Sequence, residues 1–347
     1  MSAVSSDPVL RIGLMSFAHV HAATYAQLLK TWPGVELMAA DPDSAAAPAG
    51  ELRGQALADT LGIAYVESYE ELLAWQPHAV IVTSENARHR PLVEAAAAAG
   101  ASVLCEKPLA TKISDAVAMQ NACDAAGVTL MTAYPVRFSA AFGRLKELVA
   151  GGGLGEVLAA TGTNNGQIPV GDRAWFTDPA LSGGGALVDH IVHVADLLDA
   201  LTGLRPATVR AVSNRILHAD KPQVHAETGA LVTLAYAEGF VASIDCSWSQ
   251  PDHAPTWGGL TLQVIGSAGS VDIDPFAQHV GGFSEATGQG LHLGYGEDLD
   301  ALMLAEFLDA VRAGRQPQPD GHVGIRTLEI VVAAQESART GAVVALG

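Results

Sequence analysis

The sequence predicts an α/β protein with two parts: an N-terminal, doubly wound parallel sheet, and a C-terminal α+β domain whose sheet is largely antiparallel and open on one face. Three observations lead there. Between Val9 and Tyr134, short apolar runs alternate with helical patterns, as parallel strands covered on both faces require. Between Pro206 and Ile273 the apolar period falls to two, as in antiparallel strands with one buried face. The length, 347 residues, suits two cores better than one. The boundary is expected at Tyr134, giving domains 1–134 and 135–347.

Composition narrows the function. A formal net charge of −18 argues against nucleic acid or an anionic membrane as partner, because phosphate contact needs concentrated Lys and Arg. The three cysteines, Cys105, Cys123 and Cys246, are odd in number and lack CxxC spacing, so no disulfide framework or thiolate zinc site is expected. The start, Met-Ser-Ala-Val-Ser-Ser-Asp-Pro, does not read as a signal peptide. No apolar run approaches the roughly 20 residues of a membrane span, and a cytoplasmic protein is expected. Disorder is expected only in the first seven residues and over Pro42–Gly50.

In the first domain, Val9–Met15, Val35–Ala40, Ala79–Thr83, Ser102–Cys105 and Val128–Ala133 read as strands. Val20–Thr31, Gln55–Leu61, Tyr69–Trp75, Arg88–Ala99 and Ser114–Ala126 read as helices. Ligands of such sheets sit at the carboxyl ends of the strands, so the loops after Met15, Ala40, Thr83 and Cys105 should converge on one. The first loop occupies the place of a dinucleotide-binding glycine loop but puts Ser16, Ala18 and His21 at its three glycine positions. What remains is the helix N-terminus near Val20, whose N–H groups can face a phosphate. Ser16, Phe17, Ala18 and His19 are therefore candidate cofactor contacts. Asp41, 25 residues after Ser16, stands where a carboxylate holds a ribose 2′-hydroxyl and repels a 2′-phosphate. Alternatively, Asp41-Pro42-Asp43 is only a turn.

The segment Ala79–Ala110 carries Thr83, Asn86, His89 and then Glu106-Lys107-Pro108 after an Ala-rich helix. It resembles the glucose-fructose oxidoreductase, inositol dehydrogenase and MocA (Gfo/Idh/MocA) family, which implies a Rossmann-type dinucleotide-binding domain followed by a substrate-binding and oligomerisation domain. The resemblance adds Thr83, Asn86, Glu106 and Lys107 to the cofactor contacts. It also places Lys107 beside the nicotinamide and the reacting hydroxyl, where an ammonium can favour the alkoxide form.

Beyond Tyr134, Arg137 is a candidate substrate or cofactor contact, or a tie between domains. A helix reaches about Val149, and Glu156–Asn165 reads as a strand ending in Asn164, Asn165 and Gln167, which offer uncharged donors and acceptors. Trp175 is either core or a substrate wall. Three glycines, Gly183 to Gly185, precede a helix on which Asp189, His193 and Asp196 fall within about 60° of arc. They allow close backbone approach, and the i,i+4 spacing lets Asp189 reach His193 and support it as a general base. This motif is similar to the family's second signature, which implies Lys107, Asp189 and His193 as the catalytic set and leaves Asp196 structural. His190 points about 100° away from Asp189. Leu231–Tyr236 and Val241–Ser249 read as a hairpin, extended by Leu260–Ile265 and Ser270–Ile273; residues 279–296 read as an irregular loop. Leu299–Ala313 and His322–Thr340 read as helices, with a short strand at Ala342–Ala345. The family commonly pairs subunits through the open sheet face, which implies a homodimer or homotetramer.

The expected function is NAD-dependent hydride transfer, with NADP disfavoured by Asp41, to or from a secondary alcohol of a sugar, inositol or related polyol. Lys107, Arg137, Asn164, Trp175, Asp189 and His193 are the expected substrate contacts, and no metal is expected. Two alternatives stand beside it. One is a non-catalytic, sugar-responsive binding protein that has lost its cofactor through the changes at Ser16, Ala18 and His21. The other is a metal site drawing on His19, His21, Asp189 and His193.

Overall fold

The computed structural model describes residues 9–171 and 173–347; the disorder expected in the first seven residues lies outside them. Two compact units emerge: one takes in residues up to Ala110, Ser114–Ala133 and Met303–Gly324, the other Thr111–Ile113, Tyr134–Leu302 and Ile325–Gly347. The first unit thus recruits a segment from late in the chain, which a division into consecutive blocks at Tyr134 does not foresee.

The first unit is a six-stranded parallel sheet. Its elements run β1 (Leu10–Met15), α1 (His21–Lys30), β2 (Val35–Ala40), α2 (Gly54–Leu61), β3 (Ala64–Val66), α3 (Tyr69–Ala74), β4 (Ala79–Val82), α4 (His89–Ala98), β5 (Ser102–Cys105), α5 (Ile113–Ala126) and β6 (Leu130–Thr132). The spatial order is β3-β2-β1-β4-β5-β6. The order reverses between β1 and β4, which opens a crevice at their carboxyl ends. Ile12, Leu14, Val80, Ile81, Val103 and Leu104 are buried, as strands sandwiched between helices must be. The edge strand β3 was not expected; at three residues it lies at the short end of strand lengths. Pro42–Gly50 is not irregular throughout: Pro42–Ala46 forms a 3₁₀ turn, and Asp43 accepts the Tyr69 hydroxyl and faces Arg88.

In the second unit, α6 (Ala140–Ala150) and β7 (Val157–Gln167) are followed by the short α7 (Pro179–Ser182) and the long α8 (Ala186–Thr202). Then come β8 (Pro206–Asn214), β9 (Gly229–Tyr236), β10 (Val241–Gln250), β11 (Gly258–Gly266) and β12 (Gly269–Ile273). Residues 279–296 are not an irregular loop. They contain the hairpin β13 (His279–Ser284) and β14 (Gln289–Gly294), in which His279 stacks on His292; the glycines interrupt the apolar alternation by which a strand is read. The chain ends with α9 (Leu299–Ala313), most of which belongs to the first unit, then α10 (Gly321–Thr340), which enters the second unit at Ile325, and the strand β15 (Val344–Ala345).

The seven-stranded sheet has the order β12-β11-β7-β10-β9-β8-β15, antiparallel except where β7 pairs with β10. Helix α8 packs on one face, against β7, β9 and β10. On β10 the residues Ala242, Ile244, Cys246 and Trp248 are buried, whereas Val241 and Asp245 are exposed. Leu158, Val212, Leu231 and Ile265 are likewise exposed on neighbouring strands.

Candidate functional site

In the first unit, the turn after β1 keeps the shape of a glycine loop without the glycine. Ser16 adopts φ +76°, a left-handed conformation that costs a non-glycine residue roughly 1–2 kcal/mol. Its hydroxyl offsets part of this by accepting the Ala18 N–H (3.1 Å) and donating to Asp41 Oδ1 (3.2 Å). Across the β1–β4 crevice, Thr83 donates its hydroxyl to the Ser16 carbonyl (2.7 Å) and accepts the His19 amide on its own carbonyl (2.8 Å). Phe17, Ala18, Thr83 and Asn86 are buried around this turn. The turn and the strand ends therefore fit a dinucleotide at the switch point of the sheet.

Asp41, at the end of β2, has partners within the chain. It is fully buried and receives Arg53 on both oxygens (Nη2 to Oδ1 2.8 Å, Nε to Oδ2 3.1 Å) together with the Gly54 amide. Arg53 reaches Glu85 with its third nitrogen (3.3 Å). Neither Arg53 nor Glu85 was singled out from the sequence; each acts 12 or more residues from its partner, and no local pattern reports such pairs. His89, the last member of the Thr-x-x-Asn-x-x-His pattern, is fully buried with its two nitrogens on the carbonyls of Leu109 (3.1 Å) and Ser84 (3.2 Å). It ties the loop after β4 to the loop after β5, and burial lowers its pKa.

The loop after β5 puts Glu106 and Lys107 in the interior. Glu106 Oε1 accepts from Tyr25 Oη (2.7 Å) and faces His21 Nδ1 (3.0 Å), Oε2 accepts the Lys107 amide (3.1 Å), and His19 Nε2 lies 3.8 Å from Oε2. Burial alone would raise the Glu106 pKa, but the charges of His19, His21 and Lys107 and the His21 hydrogen bond hold it well below the usual carboxylate range. The donor atoms of His19, His21 and Glu106 all lie within 4.8 Å of one another. The sequence had given Glu106 to the cofactor alone.

In the second unit the polar side chains line up on α8. The close approach allowed by the three glycines is to the chain itself: Gly185 and Ala186 donate to Glu227 (2.8 Å to the side chain, 2.9 Å to the carbonyl), and a Cβ on Gly185 would overlap that carbonyl. Glu227 thereby covers helix-end amides that no local residue caps. Asp189 accepts Trp248 Nε1 (3.3 Å) and faces His190 Nε2 (3.1 Å). His190 does not turn away from Asp189, as helical phase alone suggests. Its Nδ1 donates to the Asn164 carbonyl (2.8 Å), and this anchor swings the ring back towards its neighbour.

Asn164 is buried against the same helix, and Trp175 is buried and stacked on Phe176 at 3.9 Å, so Trp175 belongs to the core. His193 is buried at the 9% level and meets the edge of Tyr134 at 6.0 Å. Arg137 gives Nε and Nη2 to Asp196, a structural partner on α8, with Nε at 3.0 and 3.1 Å from the two oxygens. Burial pushes the Asp196 carboxyl up to about 6 against the pull of Arg137.

Two family models match: the oxidoreductase family with NAD-binding Rossmann fold over residues 9–134, and the GFO/IDH/MocA C-terminal domain over residues 142–272. A D-xylose 1-dehydrogenase (NADP(+)) from Haloferax volcanii is 31% identical over 87% of this chain and 91% of its own. The chain belongs to the GFO/IDH/MocA oxidoreductase family. It is also 27% identical to an inositol 2-dehydrogenase from Saccharopolyspora erythraea, over 96% of this chain and 95% of that one. The crystal structure of GenD2 from gentamicin A biosynthesis, in complex with NAD, superposes with a TM-score of 0.86 at 25% identity, covering 100% of this chain and 98% of the other. The GFO/IDH/MocA chain is thus an NAD(P)-dependent oxidoreductase. Among the described residues no helix is long and apolar enough to cross a membrane.

Proposed function

We propose that this enzyme transfers hydride between NAD and a secondary hydroxyl of a neutral sugar, inositol or related polyol. The observation that carries the reading is Lys107, buried at the carboxyl end of β5 behind a Rossmann crevice that keeps its left-handed turn at Ser16. When bound, the nicotinamide supplies the hydride acceptor or donor. Lys107 stabilises negative charge on the reacting oxygen, and His193 takes the hydroxyl proton. Asp189 supports that proton transfer electrostatically, its carboxylate oriented by Trp248 and His190. Ser16, Phe17, Ala18, His19, Thr83, Asn86 and Glu106 border the cofactor. Asn164 shapes the substrate surface through α8, and Arg137 positions α8 through Asp196.

NAD is the preferred form because Asp41 stands at the end of β2; Arg53 neutralises part of its repulsion, so discrimination against NADP is modest. The exposed apolar side chains Val212, Leu231, Val241 and Ile265 on the sheet face away from α8 support a homodimer or homotetramer through that face. The three unpaired, buried cysteines are in keeping with a cytoplasmic setting.

The test is titration with NADH followed by nicotinamide fluorescence, then turnover of a panel of neutral polyols with NAD and NADP. Lys107→Met is expected to lower kcat/KM about 100- to 10,000-fold while leaving NADH affinity within a few fold. Absence of NADH binding at millimolar concentration would overturn the reading. Arg53→Ala is expected to widen the preference for NAD over NADP; an unchanged ratio would remove Arg53 from cofactor selection.

A further inference from the structure

We propose that His19, His21 and Glu106 form a binding site for a divalent transition-metal ion of the Zn²⁺ or Co²⁺ class. The inference stands on the donor geometry and does not rest on the hydride-transfer reading. Two imidazoles and one carboxylate are a donor set suited to such ions. Metal–ligand bonds of about 2.0–2.1 Å in a tetrahedron place neighbouring ligand atoms roughly 3.4 Å apart. Glu106 Oε1 lies 3.0 Å from His21 Nδ1 and Oε2 lies 3.8 Å from His19 Nε2, on either side of that value, and one donor atom from each residue falls within 4.8 Å of the others. Small side-chain adjustments suffice to close them on one ion.

The donors sit on backbone that is already fixed. The His19 amide is held by the Thr83 carbonyl (2.8 Å) and the Glu106 amide by the Val82 carbonyl (3.0 Å). Around the carboxylate, the Tyr25 hydroxyl and the Lys107 amide supply the outer hydrogen bonds that orient metal-ligating groups. His19 and Glu106 are buried, whereas the His21 side chain is 32% exposed, so the His21 ring marks an entry path and a side on which a water can complete the tetrahedron.

Loading the ion has one local cost. His19 Nδ1 accepts the His21 amide at 3.2 Å, and coordination through Nε2 moves the ring proton to Nδ1, which gives up that long bond. The His21 proton shared with Glu106 shifts to Nε2 in the same way, so the metal takes the place of a hydrogen bond between two existing partners.

The full-length protein, stripped with chelator, is titrated with Co²⁺ alone and followed by the visible absorption of tetrahedral Co²⁺. One equivalent is expected to develop the band. His21→Asn and Glu106→Gln are expected to weaken binding at least 100-fold, and Tyr25→Phe roughly 10- to 100-fold. No band in the parent, or a band with unchanged affinity in His21→Asn, overturns the site; this variant changes a partly exposed side chain, so the answer stands even if Glu106→Gln fails to fold. NADH fluorescence on the same stripped protein separates the two readings. NADH binding without a Co²⁺ band rejects the metal site and leaves the oxidoreductase function intact, while the band without NADH binding does the reverse.

Discussion

The polar groups of the first unit sit on or beside turns at strand ends and are held mainly by one another, as in Asp41 with Arg53 and Ser16, Arg53 with Glu85, or Glu106 with His21 and Tyr25. Those of the second unit sit on one helix and are held by the elements packed against it, as in Asp189 with Trp248, His190 with the Asn164 carbonyl, and Asp196 with Arg137. A turn has few neighbours of its own, so its buried charges must come in mutually satisfied clusters. A helix packed on a sheet borrows partners from the strands, and its polar seam is only as rigid as that packing.

The largest test of this contrast is Arg137→Ala. Asp196 is 1% exposed, and removing its guanidinium is expected to cost about 3 kcal/mol, lowering Tm by roughly 6–12 °C. The pH dependence has a definite sign. Asp196 titrates near 6 in the fold against a usual 3.8, so the folded state favours the protonated form. Stability from this group is complete below about pH 4 and is lost as pH rises through 6. Loss of Arg137 raises the folded pKa further, so the deficit measured by thermal melts should be larger at pH 8 than at pH 5. An equal deficit at both would mean that Asp196 is not the group left exposed by the change.

A smaller effect separates positioning from packing. Trp248→Phe retains the ring in the core but removes the donor to Asp189, and is expected to cost about 1 kcal/mol of stability. If the bond also orients Asp189 for proton transfer, kcat should fall with KM nearly unchanged; loss of stability alone would reduce Trp248 to a core residue. The smallest effect lies away from both clusters. Ser68 accepts the Glu71 amide at the start of α3 (3.1 Å), and Ser68→Ala at this exposed cap should cost about 0.5 kcal/mol without moving NADH affinity.

Apart from the short edge strand β3, the strands and helices of the parallel-sheet segment were legible because short apolar runs and helical periods alternate there, and their ends agree with the structure to within two residues. The Glu-Lys-Pro and Asp-x-x-x-His motifs were legible because their members lie close in sequence. Hairpin 279–294 was missed because Gly281 and Gly282 break its alternation, leaving Phe283 94% exposed with no buried face to reveal it.

Most of the elements in their order, and the family, could be read from the chain alone, since these rest on periodicity and on motifs a few residues long; the same motifs nominate Lys107, Asp189 and His193. Tertiary structure alone decided which partners those groups take: Arg53 on Asp41, Glu227 at the start of α8, Trp248 on Asp189 and Glu106 beside two histidines. Such pairs join residues 12 to 87 apart along the chain, and a buried charge selects its partner by distance in space, which no local pattern encodes.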